Sequence, residues 1–282
     1  MPKPSAIKPG GVSAEYVRLL LYADPGTGKS AFAGTAPKAL YLKMDPNVNP
    51  AFLVGGSTAD VWAIETWKDL HEARDYIINE GHREYEWVVG DSLTLFQEKG
   101  LDDVMMSKVK ANPERRKREL RDKAEYGENM TRIRLLIKDL SRVPMHMLWT
   151  AHRMIGEDKE GNDIFVPMIH GLNMPEYVAS WMNIVAHYEV TGEDEWTMTV
   201  KRDEENAYMV KDGYDALGTS IVFSKGDKQV PMIMKAIEQR VGGMAARSAV
   251  VRKAAPAKAV AAKKAAGPVK KASPVKAAAK KG

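Results

Sequence analysis

The sequence predicts an α/β fold with a mainly parallel sheet, a C-terminal antiparallel hairpin and a disordered basic tail. Three observations predict it. Short apolar runs alternate with helically spaced segments from Val17 to Thr150, the pattern of repeated βαβ units. Two strand-like segments then flank a turn within Asn183–Arg202. Beyond Gly242–Gly243 the composition collapses to Ala, Lys, Pro and Val, which cannot bury a core.

The elements follow in order. Residues 1–14 form a leader rich in Pro, Gly and Lys. Val17–Tyr22 (VRLLLY) is a buried strand broken only by Arg18, and a helix opens near Lys29. Ala39–Lys43 and Val61–Ile64 are the next strands. Thr66–Asn79 has helical spacing through Leu70, Ala73, Ile77 and Ile78, with Thr66 as its N-cap. Glu86–Gly90 is a strand ending at Asp91, and a long polar segment follows it. Pro113 starts a helix capped by Asn112, and Leu120, Ala124, Met130, Ile133, Ile137 and Leu140 supply the apolar face. Pro144 ends that pattern. Met145–Thr150 is a further strand, Asn183–Val190 and Glu195–Arg202 pair around Thr191–Gly192, and Gln229–Val241 is the last ordered helix. The main domain spans residues 15–243 and the tail residues 244–282.

Composition narrows the chemistry. The chain has 282 residues, 44% hydrophobic, and no cysteine, which excludes disulfides and thiolate metal sites. The N-terminus lacks the apolar stretch of a secretory signal, and no run approaches the roughly 18 apolar residues of a membrane span. The expectation is a cytoplasmic protein that does not engage a membrane. The net charge of +5 hides a division: Met244–Gly282 carries 11 of the 42 Lys and Arg and none of the 37 Asp and Glu. A basic tail thus follows an acidic body.

The strongest motif is Ala23-Asp24-Pro25-Gly26-Thr27-Gly28-Lys29-Ser30, between a predicted strand and a predicted helix. That context makes it a phosphate-binding Walker A loop. Backbone N–H groups of Pro25–Ser30, the imino residue excepted, close around phosphate oxygens, and the helix N-terminus adds its positive end. Lys29 reaches the β- and γ-phosphates of ATP, and Ser30 ligates Mg²⁺. Ala23 replaces the usual first glycine, which is tolerable only at negative φ. Trp87–Ser92 (WVVGDS) reads as a Walker B strand whose Asp91 holds the Mg²⁺ shell, although an Asp capping the next helix would look the same. In LWTAH, His152 is a γ-phosphate sensor or water-positioning group at a strand end. Asp45 is the candidate that orients the attacking water, with Glu65 a weaker alternative.

ADPGTGKS, VVGDS, EYGENMTRIRLLIKDL and LWTAH occur in this order, with YMVKDG later. Together they resemble the phage-encoded RecA-like P-loop ATPases of single-strand annealing and recombination, across roughly residues 15–240. The resemblance implies a RecA-like core that binds ATP with Mg²⁺, single-stranded DNA as partner, and residence in the host cytoplasm. It also admits a homo-oligomer and a single-strand-binding protein as partners. It matches Gly26, Gly28, Lys29 and Ser30 to the phosphate loop, Asp91 to the Walker B acid, His152 to the sensor and Asp45 to the catalytic carboxylate, where relatives commonly have Glu. Lys211 corresponds to a basic residue approaching a neighbouring subunit's nucleotide; Gly213 stands where the family often has a second one.

Two basic segments are candidate nucleic-acid contacts. The tail's Lys263, Lys264, Lys270 and Lys271 would bind phosphates without sequence preference, and the tail offers no aromatic platform. Arg115, Arg116, Lys117 and Arg118 form the second cluster, where Arg115–Glu119 and Arg118–Asp122 can instead pair on a solvated helix. A DNA-dependent ATPase fits these features best. A P-loop kinase of a nucleotide or other small molecule, with the arginine-rich helix as its lid, and a non-hydrolysing ATP-switched DNA-binding module are the alternatives.

Overall fold

The computed structural model describes residues 16–45, 56–112, 123–171, 173–202 and 207–254. Two compact units divide the chain, Met1–Ala245 and Ala246–Gly282; the second is described only through Ala254, as the end of a helix. The candidate contacts Arg115–Arg118, Lys263, Lys264, Lys270 and Lys271 lie outside the described residues, as does the helix expected from Pro113 as far as Asp122.

The first unit is a layered α/β structure. Its strands are β1 (Arg18–Ala23), β2 (Ala39–Lys43), β3 (Asp60–Ala63), β4 (Trp87–Asp91), β5 (His146–Glu157), β6 (Asp163–Pro167), β7 (Ile184–Gly192), β8 (Glu195–Thr199), β9 (Lys211–Asp212) and β10 (Ser220–Ser224). The sheet order is β10-β8-β7-β1-β5-β4-β2-β3. From β7 to β3 every neighbouring pair is parallel; β8 and β10 add an antiparallel extension.

Alternation along the strands explains the apolar runs. Leu19, Leu21 and Ala23 of β1 face one core, whereas Leu20 and Tyr22 face the other. A parallel sheet covered on both faces reads as nearly continuous hydrophobicity. Against the Leu20 face pack α2 (Trp67–Tyr76), α3 (Leu93–Ala111), α4 (Lys123–Leu140) and α5 (Met174–Ser180). The Leu19 face takes α1 (Lys29–Ala33) and α6 (Gln229–Ala254), through Phe32, Val230, Ile233 and Ile237.

Several elements differ from expectation. The segment after Asp91, read as polar, is the 19-residue helix α3, which buries Leu93, Phe96, Leu101 and Val104. Asn112 closes this helix, its N–H donating to the Lys108 carbonyl at 2.9 Å, instead of standing only before a new one. β5 continues past Thr150 to Glu157 and folds back as β6. Strands β9 and β10 are additional. α6 runs past Gly242–Gly243 to Ala254. The cap at Thr66 is as expected, with a full capping box to Asp69.

Candidate active site

Parallel strands end on one edge of the sheet, and their loops build the site there. β1 ends at Ala23, from which the phosphate loop leads into α1. Ala23 is a strand residue outside the positive-φ set, which removes the objection to a side chain there. The glycines the loop needs are Gly26 at φ +81° and Gly28 at φ +93°, conformations costly for any residue with a Cβ. Thr27 steadies the turn by donating its hydroxyl to the Asp24 carbonyl at 2.8 Å.

Lys29 is 6% exposed. Its amine donates to the Ala23 and Asp24 carbonyls at 3.2 and 2.7 Å. Burial lowers its pKa to about 8, while the charges of Asp91 and Asp24 act the other way. A desolvated cation whose hydrogen bonds, among the described residues, go to carbonyls is poised to pair with an anion.

Asp91 closes β4 and is buried. One carboxylate oxygen accepts from Ser30 at 2.5 Å and from the Tyr41 hydroxyl; the other accepts from Thr150. The order β1-β5-β4-β2 makes this convergence possible: Thr150 on β5 sits between the loop and Asp91, and Tyr41 reaches in from β2. The capping alternative for Asp91 falls away, because Ser92 is the N-cap of α3 and accepts from the Leu95 N–H. Asp91 is thereby left to face Ser30.

A serine hydroxyl and one carboxylate are hard oxygen donors suited to Mg²⁺, which uses few protein ligands and completes its shell with phosphates and water. Among the described residues no group of three or more His, Cys, Asp or Glu could hold a metal ion by itself. Ser30 and Asp91 would hold it.

His152 lies opposite Ala23 across β1 and β5. Its backbone N–H donates to Thr94 Oγ1 at 3.0 Å, and its ring Nδ1 is buried without a hydrogen-bond partner among the described residues. Burial lowers its pKa, the Lys29 charge adds to this, and the Asp91, Glu98 and Asp45 carboxylates oppose it. Asp45 is half-buried just beyond β2, after Met44, whose N–H donates to the Asp91 carbonyl at 3.1 Å. The fold thus gathers Lys29, Ser30, Asp45, Asp91 and His152 at one edge. Glu65 is exposed beyond β3, on the far side of β2.

Lys211 is elsewhere. It pairs with Val185 near the start of β7, whose parallel alignment with β1 puts that region at the edge opposite the phosphate loop. Its amine donates to the Met182 carbonyl at 2.7 Å. At Gly213 a Cβ would stand 2.9 Å from the Asn183 carbonyl oxygen, so the backbone approach there favours glycine.

Sequence reasoning missed Tyr41, the hydroxyl of Thr150 and Arg153. Arg153 pairs with Asp24 at 2.5 Å and lies 4.1 Å over the Phe165 ring, bracing the loop from β5. The only signals were a lone hydroxyl in each of two apolar strands and a charge just past one of them.

The profile described as AAA domain matches residues 15–219. No curated protein matches the chain. The profile spans well over half of the 282 residues and contains the phosphate loop, Asp45, Asp91 and His152. The chain therefore belongs to the AAA-domain family of P-loop ATPases.

Proposed function

We propose that this ATPase is a Mg²⁺-dependent enzyme of the RecA-like recombination group, hydrolysing ATP to act on single-stranded DNA in phage recombination, annealing or replication. The observation that carries the nucleotide chemistry is the Ser30–Asp91 contact beside the buried Lys29. Bound Mg²⁺ supplies charge neutralisation on the phosphates. The protein's own groups do the rest. Loop N–H groups and Lys29 hold the phosphates. Tyr41 and Thr150 fix the Asp91 carboxylate. Asp45 orients the attacking water and accepts its proton, and His152, largely neutral at pH 7 because its pKa is lowered, senses the γ-phosphate.

DNA as partner is supported by the basic tail, by the second basic cluster and by the ordered motifs that resemble the recombination ATPases. The test is ATP turnover with and without single-stranded DNA. Stimulation by single strands supports the reading; turnover indifferent to DNA, with no nucleotide-dependent DNA binding, leaves the small-molecule kinase as the better account.

A further inference from the structure

The sheet ends at β10. Among the described residues this strand pairs with β8 alone, in a register that runs from Ser220 opposite Thr199 to Ser224 opposite Glu195 without a bulge. In an antiparallel ladder a residue turns both backbone groups to one side and the next residue turns both to the other. The Thr219 carbonyl accepts from the Val200 N–H at 2.9 Å, and the Lys225 N–H donates to the Asp194 carbonyl at 3.0 Å. Ile221 and Phe223 share that direction, toward β8. Ser220, Val222 and Ser224 therefore turn theirs to the open edge. At Ser224 the following turn uses them: its N–H donates to the Asp227 carboxylate at 2.8 Å, and its carbonyl accepts from the Asp227 N–H at 3.1 Å. The N–H and C=O groups of Ser220 and Val222 are left at the edge.

Such an edge is a template for another strand unless a charge, a proline or a bulge spoils it. β10, Ser-Ile-Val-Phe-Ser, has none of these. No residue from Ala216 to Ser224 is charged. Val222 is 52% exposed, whereas Phe223 is buried in the core that α6 covers. The free length is also bounded. Gly218 at φ +69° precedes it, and the Asp227 turn with Gly226 at φ +94° closes it.

We propose that β10 pairs antiparallel with β10 of a second copy of this chain, about a two-fold axis at Ile221. A second copy fits because the edge complements itself. Reversed on its own image, Ser220 lies opposite Val222 of the other copy, and every N–H left free meets a free carbonyl. Ile221 faces Ile221 of the other copy as a non-hydrogen-bonded pair, the closer kind, on the apolar side of the strand. The absence of charge sets no like charges against each other. Centring the pair on Val222 instead would set Ser220 against Ser224, whose backbone groups already serve the Asp227 turn. One sheet then continues through both copies, independently of the nucleotide site.

Sedimentation velocity of the full chain over a range of concentrations tests this. A short strand pair is smaller than a standard interface, so a reversible dimer with a dissociation constant in the roughly micromolar range is expected. Val222→Pro removes an outward N–H that β8 does not use, which an edge strand tolerates. It should weaken the dimer by about tenfold or more, with thermal unfolding and ATP turnover close to wild type. Val222→Lys should do the same by charging the edge. The chain has no cysteine, so single substitutions read the register. Under a mild oxidant Ile221→Cys should give a disulfide-linked dimer readily, and Val222→Cys should not. A monomer at every concentration overturns the proposal and leaves the edge to another segment or another protein. A dimer that survives in folded Val222→Pro and Val222→Lys also overturns it, because another surface then joins the copies. Cross-linking that favours Val222→Cys over Ile221→Cys overturns the pairing about Ile221.

Discussion

Burial makes the Lys29 ammonium more acidic, and this sets a pH signature. Its pKa falls from 10.5 to about 8 on burial. Between those values the unfolded chain holds a proton that the folded chain has lost, so this group's share of stability rises with pH across that window and is constant below it. Phosphates favour the charged amine, so ATP binding near pH 8.5 should take up a proton. Calorimetric enthalpies should then vary with the ionisation enthalpy of the buffer, and at pH 6.5 they should not. In Lys29→Ala the dependence should vanish and turnover should fall by at least about 100-fold, with the circular dichroism spectrum unchanged; wild-type turnover in the folded variant removes Lys29 from the site. The carboxylates divide differently. Asp91→Asn should weaken the Mg²⁺ response, because the charge facing Ser30 is lost. Asp45→Asn should keep ATP affinity and lose turnover if Asp45 has the role on water proposed above. An unaltered Mg²⁺ titration in Asp91→Asn would falsify the metal assignment. At this scale the phosphate loop was legible because its glycines, lysine and serine are consecutive and each answers a local need. Tyr41, Thr150 and Arg153 were not, since their role depends on which strand lies beside which, and the strand order does not follow chain order.

Elements were legible where periodicity and caps agreed. Thr66 carried both signals, and α2 begins there with its capping box. α3 was missed because its buried residues are spaced among Lys, Glu and Asp, so the segment is polar on average while one stripe is apolar. Its Gly100 is a packing residue: a Cβ there would lie 2.4 Å from Asn129 Oδ1 and 3.0 Å from the Trp67 ring. β10 and β9 were missed because short edge strands carry little pattern of their own. The strand that matters most for the site is β4, and Gly90 within it has a specific task. A Cβ on Gly90 would fall 2.1 Å from Trp149 Cζ3 and 3.2 Å from Phe96. Trp149 precedes Thr150 on β5, and Gly90 precedes Asp91, so close packing of these two strands sets the distance between the Thr150 hydroxyl and the carboxylate it holds. Gly90→Ala should therefore cost about 1–3 kcal/mol or more in denaturant unfolding, together with a loss of Mg²⁺-dependent ATP affinity. A variant as stable as wild type, with normal affinity, contradicts that spacing role.

Across the whole molecule, charge and chemistry are carried by different stretches of chain. Every residue gathered at the candidate active site lies between Ala23 and Arg153, whereas Met244–Gly282 holds 11 basic residues and no acidic ones. The parallel order of the sheet brings the ATPase groups to one edge. The buried face of α6 that supports them is made by Val230, Ile233 and Ile237, all before Met244. Deleting Met244–Gly282 should therefore leave basal turnover and nucleotide affinity close to wild type. DNA binding should change in a defined way. Each Lys or Arg that sits on a single-strand phosphate releases a counterion, so the slope of log affinity against log salt should lessen by roughly 0.7 for each phosphate the shortened chain no longer engages. The weakening should be the same for any sequence, because Lys and Ala side chains without aromatic neighbours read neither base edges nor stacking faces. What binding persists in the truncated chain should depend on ATP and favour single strands over duplex, since it would come from the body that holds the nucleotide. Affinities for both forms at several salt concentrations, with and without the tail, separate the contributions. Identical salt slopes would mean that the tail touches no phosphates and that the acidic body binds DNA by itself.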